Sequence, residues 1–172
     1  GASSFTESAD DARGFLYTTP ADISTLDSIS VYGSGSGTSF KGLVFNHADL
    51  TLILNGVGNP AALGSSAAWV TSIMGTPPSS FPTELLIGRI LNGGATLYYD
   101  TGTTNIQHYD TSNSYTTPQN MVSADHYSFV HSLYATYAYS LIFLLCSLTC
   151  FSLSRSRNLW ISRGPASPGS NP

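Results

Sequence analysis

Glu84-Leu85-Leu86-Ile87-Gly88-Arg89-Ile90-Leu91-Asn92-Gly93-Gly94-Ala95-Thr96-Leu97-Tyr98-Tyr99-Asp100 is the stretch that decides how this chain is read. Two runs rich in apolar and aromatic side chains flank Asn92-Gly93-Gly94. Asn-Gly between such runs is the strongest short-range hairpin signal, because both residues tolerate the positive φ of a tight primed turn. The pattern predicts two strands, 84–91 and 95–100, joined as a hairpin, and it marks the chain as a β protein.

Upstream, Thr76-Pro77-Pro78-Ser79-Ser80-Phe81-Pro82 reads as a rigid loop, since three prolines exclude a central strand. Residues 60–74 read as the one helix of the body. Asn59 offers an N-cap, Pro60 fits the first helical position, Leu63, Ala67, Val70 and Met74 share one helical face, and Gly75 is a stop. Leu50 to Leu54 alternates and then runs apolar, as a strand does. Ile29 to Tyr32 and Phe40 to Phe45 read as strands paired across Gly33-Ser34-Gly35-Ser36-Gly37. Phe15-Leu16-Tyr17 opens an ordered edge, and residues 1–14 read as a polar arm. Downstream, Asn105 to Tyr109 is a further strand and residues 110–120 an exposed loop.

The expected fold is therefore mainly β, a jelly-roll or β-sandwich-like body over 1–125 with one short helix at 60–74. Beyond it the character changes. From Leu133 to Ser154 no residue is charged, and the centre of the stretch is Leu141-Ile142-Phe143-Leu144-Leu145. An apolar helical segment over 126–154 is expected, followed by a polar tail at 155–172. A length of about 20 apolar residues matches a bilayer span. Tyr134, Tyr137, Tyr139 and Trp160 would then lie at the interfaces, with the acidic body outside. A buried or assembly helix would leave the same pattern.

Composition sharpens the functional expectation. Of 172 residues only 9% are charged, against about 25% in an ordinary soluble domain. Serine (27) and threonine (18) take their place, and Lys41 is the one lysine. Residues 1–125 hold all ten acids with Arg13, Lys41 and Arg89, while 126–172 hold three arginines and no acid. An acidic body repels a phosphate backbone, so no nucleic acid is expected as partner. So few charges also exclude a coiled coil. Cys146 and Cys150 read as small buried hydrophobes, so the body has no disulfide framework. The absence of an initiator Met leads us to expect a processed start.

Candidate chemistry is sparse. Gly56-Val57-Gly58-Asn59-Pro60-Ala61 fits G-x-G-x-x-A, but Pro60 removes a donor that a phosphate would need, and the reading is a turn with a helix cap. Gly64-Ser65-Ser66 lacks the elbow of a nucleophilic serine. His47-Ala48-Asp49 and His108-Tyr109-Asp110 are His-x-Asp pairs. On a strand such pairs share a face and could orient an imidazole or contribute to a metal site. Tyr98, Tyr99, Tyr109 and Tyr115 gather around the 84–100 segment and the following loop. With Ser, Thr and Asn nearby they are the leading binding residues, suited to a glycan or a protein.

The residues 94–102 resemble strand–turn segments of phage tail-fibre proteins, over a stretch too short to name a family. The functional expectation is a non-enzymatic structural or attachment protein of a virion, phage-like particle or cell surface, without cofactor. Its partners would be further copies or other structural chains, a glycan or receptor, or a membrane through 133–153. The alternatives are a membrane-anchored extracellular ligand-binding domain and a small hydrolase working through the His-x-Asp pairs.

Overall fold

The computed structural model describes residues 3–101, 107–122, 125–127, 129–140 and 155–160, and its regular structure there is all strand. Fourteen strands, numbered in chain order, form two antiparallel sheets. Sheet A holds β1 (Ser3–Glu7), β3 (Ile23–Ser34), β7 (Ala68–Ile73), β9 (Ala95–Thr101), β12 (Phe129–His131), β13 (Leu133–Tyr139) and β14 (Arg155–Trp160). Sheet B holds β2 (Ala12–Thr18), β4 (Ser39–Asn46), β5 (Leu52–Val57), β6 (Ala61–Ala62), β8 (Glu84–Leu91), β10 (Gln107–Asp110) and β11 (Asp125–Tyr127).

The sheets pack face to face. Phe15, Phe40, Val44, Leu85, Ile87 and Leu91 of sheet B meet Leu26, Ile29, Val31, Leu97, Leu133 and Ala135 of sheet A in one core. The approach is close at Gly42, where a Cβ would sit 2.9 Å from the Cβ of Ile29. A side chain there would push the sheets apart. A second apolar cluster lies on the outer face of sheet B. Ala12, Leu43, Phe45, Leu86 and Ile90 are covered there by Met121, with Tyr115, Leu50 and Leu52 packed against them. The 111–122 loop is thus a cover for sheet B. It is tied down by Lys41 Nζ donating to the Tyr115 carbonyl (2.7 Å), Leu52 N to Asn120 Oδ1 (2.8 Å) and Tyr115 N to Asp10 Oδ1 (2.7 Å).

Several expectations need correction. The runs 84–91 and 95–100 are strands, but not a hairpin. β8 pairs with β2 and β4 in sheet B, whereas β9 pairs with β1, β3 and β12 in sheet A. Neither Asn92 nor Gly93 has the positive φ that the primed turn requires. Instead Asn92-Gly93-Gly94 carries the chain from one sheet to the other. Asn92 Oδ1 accepts from Ser39 N (2.7 Å) and the Gly94 carbonyl from Thr38 Oγ1 (2.8 Å). Those contacts brace it against the second crossover, 35–38, which joins β3 to β4. So β3 and β4 are not a hairpin either. The physical reason is burial: β8 is buried from Leu85 through Leu91 on both faces, which demands a strand on each side and a cover on each face.

The helix expected at 60–74 is absent. Ala61–Ala62 and Ala68–Ile73 are strands, and Asn59 N bonds to the Ile73 carbonyl (2.8 Å) instead of starting a helix. Trp69-Val70-Thr71-Ser72-Ile73 is a β-branched and aromatic run, and pairing with β3 satisfies its backbone. Ser72, on the inner side, takes the amide of Gly42 (2.9 Å) and donates to the Asn59 carbonyl (2.7 Å). The start of the apolar C-terminal segment is also strand: Leu133–Tyr139 lies between β3 and β14, with Leu133 and Ala135 fully buried. Leu141, Ile142, Phe143, Leu144 and Leu145 lie outside the described residues. Among the described residues, no helix is long and apolar enough to cross a membrane. The supposed polar arm carries β1 and the start of β2.

Candidate functional site

Strand alternation gives sheet A an outer face opposite the core. Outward positions are Ser4 and Thr6 of β1, Thr96 and Tyr98 of β9, and Ser28, Ser30 and Tyr32 of β3. Trp69, Thr71 and Ile73 of β7 and Tyr134 and Thr136 of β13 complete them. None is charged. Seven are Ser or Thr, four are large aromatics and one is aliphatic. The nearest charge along β3, Asp27, sits at a bulge where its carboxylate accepts from Thr25 Oγ1 (2.8 Å).

The four aromatics touch in sequence. Tyr98 lies 5.1 Å from Tyr32, Tyr32 lies 5.4 Å from Trp69, and Trp69 lies 5.0 Å from Tyr134, centroid to centroid. Interplanar angles of 57–63° put each ring edge or tilt against the next, the arrangement that the ring quadrupoles favour. Small residues make it possible: Ser30, between Thr71 and Tyr134 across the sheet, leaves room for the indole to reach over β3. The Ser30 and Thr71 hydroxyls share a hydrogen bond of 2.7 Å beside the rings. At the Tyr98 end, a hydroxyl-lined cleft of about 370 Å³ opens between Thr6, Ser34, Ser36, Ser65 and Thr96.

The four tyrosines singled out from the sequence do not share a face. Tyr98 belongs to the aromatic row. Tyr99 packs edge-on against Phe5 at 5.6 Å, on the core side. Tyr109 lies under the Arg13 guanidinium, 4.1 Å from its centroid, and donates to Asp11 Oδ2 (2.8 Å). Burial and that hydrogen bond push its phenol up to about 12. Tyr115 is part of the cover on sheet B, beneath Lys41 Nζ at 4.6 Å. Of the row's other members, sequence reasoning places Tyr134 at a membrane interface and does not single out Tyr32 or Trp69 for binding. Trp69 falls inside the expected helix, although its β-branched neighbours carried the strand signal.

The His-x-Asp pairs are only half assembled. The His47 and His108 rings meet edge to face at 5.3 Å, yet their aspartates turn away. Asp49 accepts from Thr51 N (3.1 Å) and Thr51 Oγ1 (2.7 Å), and these bonds hold its carboxyl below the usual range. Asp110 accepts from Ser112 N (2.8 Å), Ser112 Oγ (2.6 Å) and Val122 N (3.1 Å). Burial raises its pKa, but those three donors outweigh it and the net shift is downward. His47 Nδ1 instead meets Glu84 Oε2 at 2.9 Å. Among the described residues, no three His, Cys, Asp or Glu side chains are placed to hold a metal ion. A second open cleft, about 470 Å³ between Thr19, Pro20, Phe81 and Pro82, also lacks both His-x-Asp pairs.

The strongest electrostatic feature is internal. Glu7 of β1, 1% exposed, reaches across to Arg89 and Arg13 of sheet B. Its Oε2 accepts from Arg89 Nη2 (2.7 Å) and Nε (3.1 Å), and its Oε1 lies 2.6 Å from Arg13 Nε. Burial pulls the Arg89 guanidinium down, Arg13 adds to that, and Glu7 pulls it back. This cluster ties the first strand to the opposite sheet. It is a structural clamp.

Compared with protein-family models, with curated proteins and with solved structures, the chain gives no match.

Proposed function

We propose that this chain is a non-enzymatic structural or attachment protein of a particle or cell surface, and that its contact face is the outer face of sheet A. One observation carries the reading: a broad outward sheet surface with twelve uncharged positions, built around four rings in contact. Aromatic side chains are enriched where proteins meet partners, and charged ones are depleted. Sheet B, by contrast, is covered by its own 111–122 loop, whereas among the described residues no segment covers the outer face of sheet A.

Two facts favour this over a single-span membrane anchor. β13 uses residues 133–139 of the apolar stretch, and the fifteen that remain before β14 would reach about 22 Å as a helix, short of the roughly 30 Å of a bilayer core. Tyr139 also pairs with Arg155, so the chain leaves and re-enters the sheet at one end. The hydrolase reading has in its favour only the His47–Glu84 pair beside His108.

Placing one charge in the face tests the proposal. Thr71 is exposed, so Thr71→Lys leaves the core intact. The full chain and the variant are compared by light-scattering chromatography. Retention is measured on immobilised neutral glycans, on sialylated glycans and on phosphatidylcholine vesicles. The full chain should self-associate or be retained, and the variant should lose whichever is seen. A full chain that does neither, or a variant that matches it, refutes the reading.

A further inference from the structure

We infer that the outer face of sheet A takes a short, neutral oligosaccharide, laid across the Tyr98–Tyr32–Trp69–Tyr134 row with one end in the adjoining hydroxyl-lined cleft; this rests on the contact face proposed above. Charge selects first. The twelve positions hold no cation, and Asp100 continues β9 beyond Tyr98, so a sialylated or sulfated glycan, a phosphate or an anionic lipid finds no counter-ion there, and burying such a group unpaired is costly.

Hydroxyl content selects next. Six of the outward residues, Ser4, Thr6, Ser28, Thr71, Thr96 and Thr136, are Ser or Thr that reach solvent, Ser30 being buried beneath the rings, and the cleft beside Tyr98 adds Ser34, Ser36 and Ser65. An apolar protein surface would strip water from these hydroxyls and give nothing back, at roughly 1–3 kcal/mol for each one left unpaired. A polyol replaces those hydrogen bonds group for group. The C–H face of a pyranose meanwhile covers an aromatic ring.

Spacing agrees. Ring centroids follow one another at 5.0–5.4 Å, of the order of one sugar ring, so successive units meet successive aromatics. The cleft continues the same surface, because Thr96 and Thr6 lie on the outward side of β9 and β1 with Tyr98. Its volume of about 370 Å³ falls in the range of small-ligand sites.

The chain has two tryptophans, Trp69 and Trp160. In the full chain carrying Trp160→Phe, emission therefore reports on Trp69 alone. Neutral tri- to pentasaccharides of glucose, galactose and mannose are titrated in, with sialylated and sulfated oligosaccharides as the contrast. The expected result is a saturable shift of Trp69 emission with a neutral member only. Affinity should fall roughly tenfold or more in Tyr32→Ala and in Thr96→Asp, and stay unchanged in Val122→Ser on the other side of the molecule. Thr96→Asp keeps the aromatic row, so it guards against a Tyr32 variant that merely folds poorly.

Binding of acidic glycans in preference to neutral ones overturns the inference, as does no binding at all. If nothing binds but Thr71→Lys still abolishes self-association or vesicle retention, the contact face stands and only its ligand is wrong. If Thr71→Lys also has no effect, both fall.

Discussion

Replacing Glu7 by Gln removes one negative charge and little volume from the interior. In the native protein the carboxylate answers two guanidiniums, Arg89 (1% exposed) and Arg13, which are register partners across β2 and β8. Without it, two like charges face each other in a low-dielectric interior. Breaking a buried ion pair by removing one partner costs about 3–5 kcal/mol. Arg13 keeps a 13% exposed side chain and can recover some hydration, so the lower end applies. For a chain of this size about 3 kcal/mol corresponds to a fall in Tm of roughly 6–12 °C. Urea unfolding followed by tryptophan emission measures the loss directly. Hydrogen exchange should show β1 and its β9 partner opening first, since Glu7 is the anchor of that strand. The double replacement Glu7→Leu with Arg89→Met removes the charges together and should restore most of the stability, because an apolar pair of similar size replaces a buried pair at little cost. A Glu7→Gln protein within about 0.5 kcal/mol of the native one would refute this reasoning. It would mean that Arg89 is neutralised elsewhere.

Other outcomes follow from the same geometry. Gly88→Ala would drive a Cβ into the Arg13 carbonyl and to 2.7 Å from the Gly14 Cα. Both are backbone, so a loss of more than about 3 kcal/mol, or failure to accumulate soluble protein, is expected in denaturant titration. Lys41→Met keeps the stem but removes the charged bond to the Tyr115 carbonyl. It should cost about 1.5 kcal/mol and speed hydrogen exchange at Tyr115 and Met121, with β3 and β13 unchanged. Asp110 has its carboxyl held below its ordinary value. Its contribution is therefore complete above the unfolded carboxylate range near pH 3.9 and disappears as pH falls through the lower folded value. Exchange of the Ser112 and Val122 amides should accelerate only in that acid window, and in Asp110→Asn the acceleration should already be present at neutral pH.

Much of the β character was legible locally. The strands at 29–32, 40–45, 84–91 and 95–100 all exist, because alternation and β-branched content act through each residue's own backbone and immediate neighbours. The scarcity of charge is likewise a property of composition. What composition and spacing do not contain is the partner of each strand. Asn92-Gly93 carries a hairpin signal, but the outcome was decided by burying β8 on both faces, which required β2 and β4 as neighbours and sent β9 to the other sheet. The same long-range burial turned residues 68–73 from an apparent helical face into a strand, since β3 offered unpaired backbone and a core side to fill. Tyr98, Tyr99, Tyr109 and Tyr115 look alike in the chain and end in four different environments. The aromatic row joins Tyr98 to Tyr32, Trp69 and Tyr134, residues brought together from four strands. Only the closed pair of sheets sets which side chains share a face, because that choice is fixed by contacts between residues far apart in the chain.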